Sequence, residues 1–577
     1  MWKKLVQFFS TQKALLRPVL QFSLLGCLVV HISYSVADER MDYVSDRLDS
    51  AVEHEFIGGA VVGSYDSGEV QFFSKGRISQ ESETSPNETT LFEIGSITKV
   101  FTAALTQSLV DSEVLSWDSS VESSLEDWRI VNKGVREISL RELATHSSGL
   151  PRMPLNWQAM DELDPYLGYD AKLLQAFISE FNPTQLKKEL VYSNVGFGLL
   201  GFIAANSAGK SYTEALRERV LDPLGMHSTR VGLSDESRTN LARGFALGAI
   251  VPNWNFDSLE GAGAILSTAE DLMQFVGKNV EPDDSLISKA LQQLLKVQVP
   301  PNQAFGWVWE QGESDQPIFW HAGLTGGYAC FLAISPEESK GWVVLTTSLH
   351  GGLVTEIGRS FFTPLPNLET AEISAYLGVY RISENFHLTF RSRDNRLLMQ
   401  ATGQSEVPLT FVETGKYKSD AAGIVLTFEE PTDGKSQNME FVQGGQTINT
   451  KRVDDKFGIP NRNEIEIDNE TLEDYQGVYQ LAPTASFSVV LREGQLFATL
   501  TGQPTMPIFP MDQDRFFYKQ VDAEVLFERD ADGLVSSLTL IQGRELKAPK
   551  VNEGGRLGTP SPPSTSNRAN PPRRSSD

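Results

Sequence analysis

FEIGSITKVFTAALTQSLV, Phe92 to Val110, decides how the rest of the chain is read. Its apolar positions Ile97, Val100, Phe101, Ala104, Leu105 and Leu109 recur at three- and four-residue steps, which predicts a largely buried helix over 96–110. Lys99 is the only charge between Ser96 and Val110. With no acid on its own helix to pair with, a buried lysine loses part of its affinity for a proton, and at i, i+3 it shares a helix face with Ser96. Ser96 is therefore a candidate nucleophile and Lys99 its candidate base. The serine also stands at the helix N-terminus, where backbone N–H groups and the dipole favour a developing negative charge. An S-x-x-K pair turns up by chance about once or twice in a chain of this size, so other stretches must decide.

A chain of 577 residues holds about two to four domains. Hydrophobic residues make up 40% and charged residues 22%, the composition of a globular protein. Acidic residues outnumber basic ones by 75 to 50, for a formal charge of −25, which argues against nucleic acid or an anionic membrane surface as the main partner. Residues 1–37 read as a signal peptide: Lys3, Lys4, Lys13 and Arg17 precede an apolar run from Val19 to Val30, and Ser35-Val36-Ala37 offers small residues for cleavage. Export to the periplasm or the medium follows, with membrane attachment only through this segment. An uncleaved N-terminal anchor, or a lipoprotein modified at Cys27 within Leu24-Leu25-Gly26-Cys27, are the alternatives. Only Cys330 would remain in a cleaved chain, so no internal disulfide is expected, and in GGYACFLAI it reads as strand core.

Around Gly58 to Gly76 the pattern predicts a hairpin about an Asp-Ser-Gly turn. Three S-x-x-E capping boxes, Ser139 with Glu142, Ser211 with Glu214 and Ser267 with Glu270, announce helices. Strands rich in aromatic and β-branched residues return between Phe305 and Ser348. The expected architecture over 45–362 is thus α/β: an antiparallel sheet whose first and last strands meet, flanked by helices, with a helical region inserted. Beyond TPLP at 363–366 the chain repeats itself at an offset of 99 residues. Tyr376, Gly378 and Tyr380 match Tyr475, Gly477 and Tyr479, and Thr402-Gly403-Gln404 matches Thr501-Gly502-Gln503. Two all-β, barrel-like modules are expected at 368–455 and 467–552, followed by a Pro/Ser/Arg-rich disordered tail at 553–577.

Two further motifs bear on Ser96. In LVYSNVGFGLLG, Tyr192 and Asn194 are two residues apart, and in an extended segment they face one cleft, where the phenol can relay a proton and the amide can hold a substrate. In IFWHAG, His321 and Gly323 share a strand face, and the glycine admits a substrate backbone. A backbone N–H at this place, with that of Ser96, would form an oxyanion hole. Taken singly, each has a structural explanation: backbone satisfaction for Tyr192 and Asn194, packing for His321.

Together, in this order, they resemble the serine β-lactamase and penicillin-binding-protein group, of the class C β-lactamase, DD-peptidase and esterase type. Flanking blocks are also similar to that group: LRELATHSSGLP at 140–151, LDPLGMHST at 221–229 and GAGAILSTAEDLMQF at 261–275. The paired modules resemble the lipocalin-like domains appended to some members. The resemblance implies an acyl-enzyme at Ser96, acid/base work shared by Lys99 and Tyr192, substrate contacts from Asn194, His321 and Gly323, and an oxyanion hole from the N–H groups of Ser96 and Leu324. It implies no cofactor and no metal. His321 stands where β-lactamases of the group have lysine, which lowers antibiotic hydrolysis below peptidase or esterase work. The expected function is an exported serine hydrolase acting on an amide or ester, such as a D-amino-acid-containing cell-wall peptide or a small ester. A β-lactamase and a non-catalytic penicillin- or peptide-binding sensor are the alternatives.

Overall fold

The hairpin around Ser67-Gly68 starts the central sheet: β1 (Gly59–Asp66) pairs with β2 (Glu69–Gly76) on one side and, across nearly three hundred residues, with β6 (Lys340–Thr346) on the other, Val61 opposite Leu345. With β3 (Val308–Gln311), β4 (Pro317–Leu324) and β5 (Ala329–Ser335), the strands lie antiparallel in the order β2-β1-β6-β5-β4-β3. The first and last strands therefore meet, and the helical region is inserted between them, as the sequence pattern requires. This computed structural model describes residues 40–551 except 50, 53–56, 183–189, 234–236, 297–298, 364–372, 384–385, 394–395, 402–405, 420–421, 445, 455–461, 484, 504, 520–522 and 543–544. The expected signal peptide with Cys27, and the expected tail, lie outside the described residues.

Four helices organise the domain: α1 (Thr98–Asp111), α2 (Asn194–Ser207), α3 (Ala269–Val280) and α4 (Gly351–Arg359). Successive strand residues point to opposite faces of a sheet, and here both faces are covered. Val61, Leu332, Val343 and Leu345 join the core formed with α1, α2 and α3. Ala60, Val62, Phe331 and Val344 pack beneath α4 and the helix at 40–49. Double coverage is why GWVVLTT reads as a continuous apolar run rather than an alternating one. Helix α1 lies deepest, buried from Thr98 through Gln107 and at Leu109, and Phe101 packs on Phe275 with ring centroids 4.6 Å apart. A helix apolar all round has nowhere else to go.

The capping boxes of Ser139 with Glu142 and Ser211 with Glu214 close as expected. The third does not: Thr268, not Ser267, caps α3, accepting from Asp271 N–H. Ser267 ends a short strand instead, and its hydroxyl bonds to Thr229 Oγ1 at 2.7 Å, while the Asp271 carboxylate takes the Ser228 and Thr229 N–H groups. Tertiary partners outbid the local box and move the cap by one residue.

Contacts divide the chain near residue 460 into two units. After the α/β domain the first unit carries a nine-stranded antiparallel sheet from Gly378–Ser383 to Gln446–Asp454, and the second is a closed barrel of eight strands from Gly477–Ala482 to Glu545–Val551. Met506–Asp512 closes the barrel because one strand pairs with both its neighbours. The stretch 99 residues earlier is broken at Leu409 into Glu406–Pro408 and Thr410–Glu413, the two edges of the first sheet. Leu409 is buried at that corner and its N–H bonds to the Leu397 carbonyl (3.0 Å). A tyrosine is fully buried in each module, Tyr380 donating to Ser436 O (3.0 Å) and Tyr479 to Tyr475 O (2.6 Å).

Phe101→Ala is expected to lower the stability of the α/β domain by about 3–5 kcal/mol, read as an earlier urea transition by tryptophan fluorescence. Leu155→Ala, at an exposed position, should shift the same transition by less than about 0.5 kcal/mol.

Candidate active site

From Leu91 to Val100, Ser96 alone reaches solvent. A short strand at Phe92–Glu93 pairs with Leu266 and Ser267, and the Ile94 N–H bonds to Ile265 O (3.0 Å). Gly95 then turns the chain with φ +49°, and a 3-10 turn at Gly95–Ile97 leads into α1. Ser96 thus sits ahead of the α-helix, on the 3-10 segment. In that first turn the Ser96 N–H has no carbonyl behind it to bond.

The end of β4 is pressed against this turn. A Cβ on Gly95 would lie 2.7 Å from Leu324 N, and one on Gly323 would lie 1.9 Å from Ile94 O. Gly323 is therefore demanded by the Ile94 carbonyl that occupies the space beside it, and not, as the sequence suggested, by a substrate backbone. Thr325 N–H bonds to Tyr328 O (2.9 Å) at the β4–β5 turn, so the alternation of an antiparallel ladder makes Leu324 opposite Ala329 a non-hydrogen-bonded pair. The Leu324 N–H consequently points away from β5, on the side of the Ser96 turn. Two N–H groups converge there, which is the layout of an oxyanion hole.

Lys99 Nζ is hydrogen-bonded to Ser96 Oγ at 2.9 Å and donates to Ala262 O at 2.6 Å. Its side chain is fully buried, and that desolvation, assisted by the positive charge of Arg152, holds its pKa well below the ordinary lysine value. Nζ lies 5.0 Å from the Tyr192 ring centroid. Tyr192 shares a hydrogen bond with Ser96, and burial raises its pKa, so the phenol keeps its proton.

Tyr192 and Asn194 do not lie on one strand. Asn194 opens α2, with Ser193 as its cap accepting from Gly196 N–H (2.9 Å), so the two-residue period of a strand does not govern their directions. Asn194 Nδ2 donates to Tyr166 Oη (2.9 Å), and its buried Oδ1 has no protein partner. His321 is buried on β4; its Nδ1 donates to Ala322 O (2.7 Å), and burial together with the nearby Lys99 pushes its pKa down to about 3. It is therefore a neutral ring with its centroid 6.2 Å from that of Tyr192.

Three neighbours escaped the sequence reading. His146 lies in the flanking block LRELATHSSGLP; its ring is 4.4 Å from that of Tyr192, and its Nδ1 accepts the Ser193 N–H (3.1 Å). That acceptor role requires a neutral ring, in keeping with a pKa held well below the ordinary value by burial and the nearby Lys99, His321 and Arg152. A non-glycine φ of +57° at His146 is the backbone mark of this placement. Arg152 stands over the other ring, Tyr192, with its guanidinium carbon 5.1 Å from the centroid. Glu93 is buried beneath the turn, accepting from Asn253 Nδ2 (2.8 Å) and Trp254 N–H (3.0 Å), with its pKa raised by burial to about 7. Cys330 is strand core, its thiol donating to Glu93 O (3.4 Å) and pushed by burial up to about 12.

A hydroxyl in contact with a proton-poor buried amine, facing two convergent N–H groups, defines a serine acyl-transfer site. The chain belongs to the serine beta-lactamase and penicillin-binding-protein family: residues 43–358 match the family described as Beta-lactamase, and residues 461–550 match the domain of unknown function DUF3471. It is 27% identical over 346 residues to penicillin-binding protein 4 of Amycolatopsis lactamdurans, covering 56% of this chain and 87% of that protein. To protein flp of Staphylococcus aureus strain MW2 it is 25% identical over 338 residues, covering 56% of this chain and 66% of the other. A solved beta-lactamase/D-alanine carboxypeptidase from Pseudomonas syringae shares the fold at 22% identity and a TM-score of 0.50, over 56% of this chain and 98% of that one.

Because the folded state disfavours the proton on Lys99, unfolding takes one up at any pH between the lowered value and the ordinary 10.5. Stability is therefore expected to rise with pH through that window, and Lys99→Met to flatten this slope, raise the thermal midpoint and abolish acylation. Gly323→Ala is expected to lower stability by about 1–3 kcal/mol and reduce turnover, measured by thermal unfolding and ester hydrolysis on one preparation.

Proposed function

We propose that this chain is an exported serine hydrolase that forms an acyl-enzyme on Ser96 from an amide or ester, with D-amino-acid-containing cell-wall peptides or small esters as its substrates. The observation that carries the reading is the contact of Lys99 Nζ with Ser96 Oγ in surroundings that favour the neutral amine. As Ser96 Oγ attacks the carbonyl carbon, its proton passes to the Lys99 lone pair. The carbonyl oxygen gathers negative charge between the Ser96 and Leu324 N–H groups. Tyr192, whose phenol keeps its proton, donates to the departing nitrogen or oxygen and is reprotonated from Lys99. Water then enters, gives its proton to the same pair and releases the acid, with Ser96 restored. Asn194, with an unpartnered Oδ1, orients the substrate by accepting an N–H.

A β-lactamase reading draws on the family and on its likeness to the beta-lactamase/D-alanine carboxypeptidase from Pseudomonas syringae. Against it stands His321: a ring with a pKa of about 3 brings no charge to hold a β-lactam carboxylate. A binder without turnover would have no use for a lysine buried without an acid beside it, an arrangement that sacrifices stability.

Short p-nitrophenyl esters, D-alanyl peptides and nitrocefin should be offered to the wild type and to Ser96→Ala. Ester or peptide turnover is expected to exceed nitrocefin turnover and to fall at least ~10³-fold in the variant. Nitrocefin as the best substrate would reverse the ranking; failure of a fluorophosphonate to label Ser96, with no turnover of any substrate, would remove the hydrolase reading.

A further inference from the structure

The backbone on both sides of Tyr192 is tied to one residue. The Val191 N–H donates to the His146 carbonyl (2.9 Å), and the Ser193 N–H donates to His146 Nδ1 (3.1 Å). The imidazole itself packs on the tyrosine between them, ring centroids 4.4 Å apart, and on Phe197 of α2 at 4.9 Å. Further along the same two segments, Ser193 Oγ donates to Pro151 O (2.7 Å) and the Asn194 N–H to Arg152 O (2.9 Å).

His146 is a firm support because of what precedes it. It follows the short helix Leu140–Ala144, whose capping box is closed and whose Leu140, Leu143 and Ala144 are buried. The Thr145 and Ser147 N–H groups bond back to Arg141 O and Glu142 O at 3.0 Å each, and between them His146 takes φ +57°. Few residues other than glycine and asparagine adopt that conformation, and here it accompanies a residue that turns both of its acceptors, carbonyl and ring nitrogen, to one segment. The ring must be neutral to accept at Nδ1, since an imidazolium would set a donor against the Ser193 N–H. Burial, with Lys99, His321 and Arg152 nearby, holds it so.

We propose that His146 is the positioning residue of Tyr192, fixing the chain at 191 and 193 so that the phenol meets both Ser96 and the departing atom of the substrate. The inference rests on the hydrolase reading above, in which the Tyr192 proton passes to the leaving oxygen or nitrogen as its bond to the carbonyl carbon breaks, and Lys99 reprotonates the phenol. A positioned general acid is worth about 10²–10⁴-fold, and a misplacement of about 1 Å can cost about 10²-fold. That help matters most when the leaving group is a poor one. An alkoxide needs the proton, whereas p-nitrophenolate departs as a stable anion. Loss of the support under Tyr192 therefore shows as sensitivity to the leaving group and not as a uniform loss of activity.

Ethyl butyrate and p-nitrophenyl butyrate form the same acyl-enzyme and differ only in what departs. The test compares their kcat/KM on wild type, His146→Gly, His146→Asn, Tyr192→Phe and the double variant His146→Gly/Tyr192→Phe. Glycine takes φ +57° without strain while removing ring and acceptor; asparagine also tolerates it and offers Oδ1 where Nδ1 stood. The preference for the p-nitrophenyl ester is expected to rise at least about tenfold in His146→Gly and to return most of the way in His146→Asn. Adding His146→Gly to Tyr192→Phe should leave the preference unmoved, because the support then has nothing to position. Equal losses on both esters in His146→Gly or in Tyr192→Phe, or the same rise with and without the Tyr192 hydroxyl, overturn the proposal and leave the hydrolase reading standing. An asparagine variant shifted as far as Tyr192→Phe also overturns it, and decides alone should His146→Gly not fold. Absence of Ser96-dependent turnover of both esters overturns both readings.

Discussion

The structure depends on one close approach, that of the end of β4 to the turn before α1. Gly323 and Gly95 are each other's counterpart there: the first has the Ile94 carbonyl where its side chain would be, the second has the Leu324 amide. Without both, the sheet and the most buried helix of the domain stand further apart, and the Ser96 and Leu324 N–H groups no longer converge. The six-stranded sheet extends this constraint outward. Because β1 closes on β6, the hairpin at one end of the sequence and the strands at the other fix the position of β4 against an α1 packed beneath them. Catalytic geometry is here a consequence of packing two rigid elements through two missing side chains.

The same burial that positions Ser96 holds the pKa of Lys99 down. A lysine in a fully buried helix turn gains no compensation from an acid and receives a further push from Arg152. It is held by hydrogen bonds to Ser96 and to the Ala262 carbonyl. His146 and His321 lie under the same conditions and respond in the same direction, as neutral rings. Tyr192 lies between these groups and keeps its proton for the complementary reason, since burial disfavours the phenolate. A protonated phenol and a proton-poor amine thereby stand side by side, through a shared environment acting on groups of opposite charge type.

Much of this was legible in the order of residues, and what was not has identifiable causes. The buried helix, the meeting of first and last strands and the two all-β modules follow from apolar periodicity, turn residues and a fixed offset, all of them local or repetitive signals. Misreadings arose where tertiary contacts override local patterns. Ser267 forgoes its box because Thr229 offers a buried partner, and Tyr192-Ser193-Asn194 straddles a helix start rather than lying along a strand. His146, Arg152 and Glu93 escaped because their importance lies in what surrounds them: a ring stacked on Tyr192, a guanidinium without a carboxylate and a carboxylate beneath a turn leave no spacing signature.

The distribution of charge around Ser96 is uneven. A histidine on β4 that cannot hold a proton near neutral pH leaves the sheet side of the cleft uncharged. Among the described residues, the segment between His146 and α2 places the Arg152 guanidinium over the Tyr192 ring and brings Tyr166 to Asn194. The rigid part of the fold thus holds Ser96, Lys99 and the two convergent N–H groups, while Arg152 hangs from a connecting segment. Such segments tolerate substitution better than packed strands. A change at position 152 alters one exposed side chain, whereas a change at 323 or 95 disturbs the approach that brings the Ser96 and Leu324 N–H groups together.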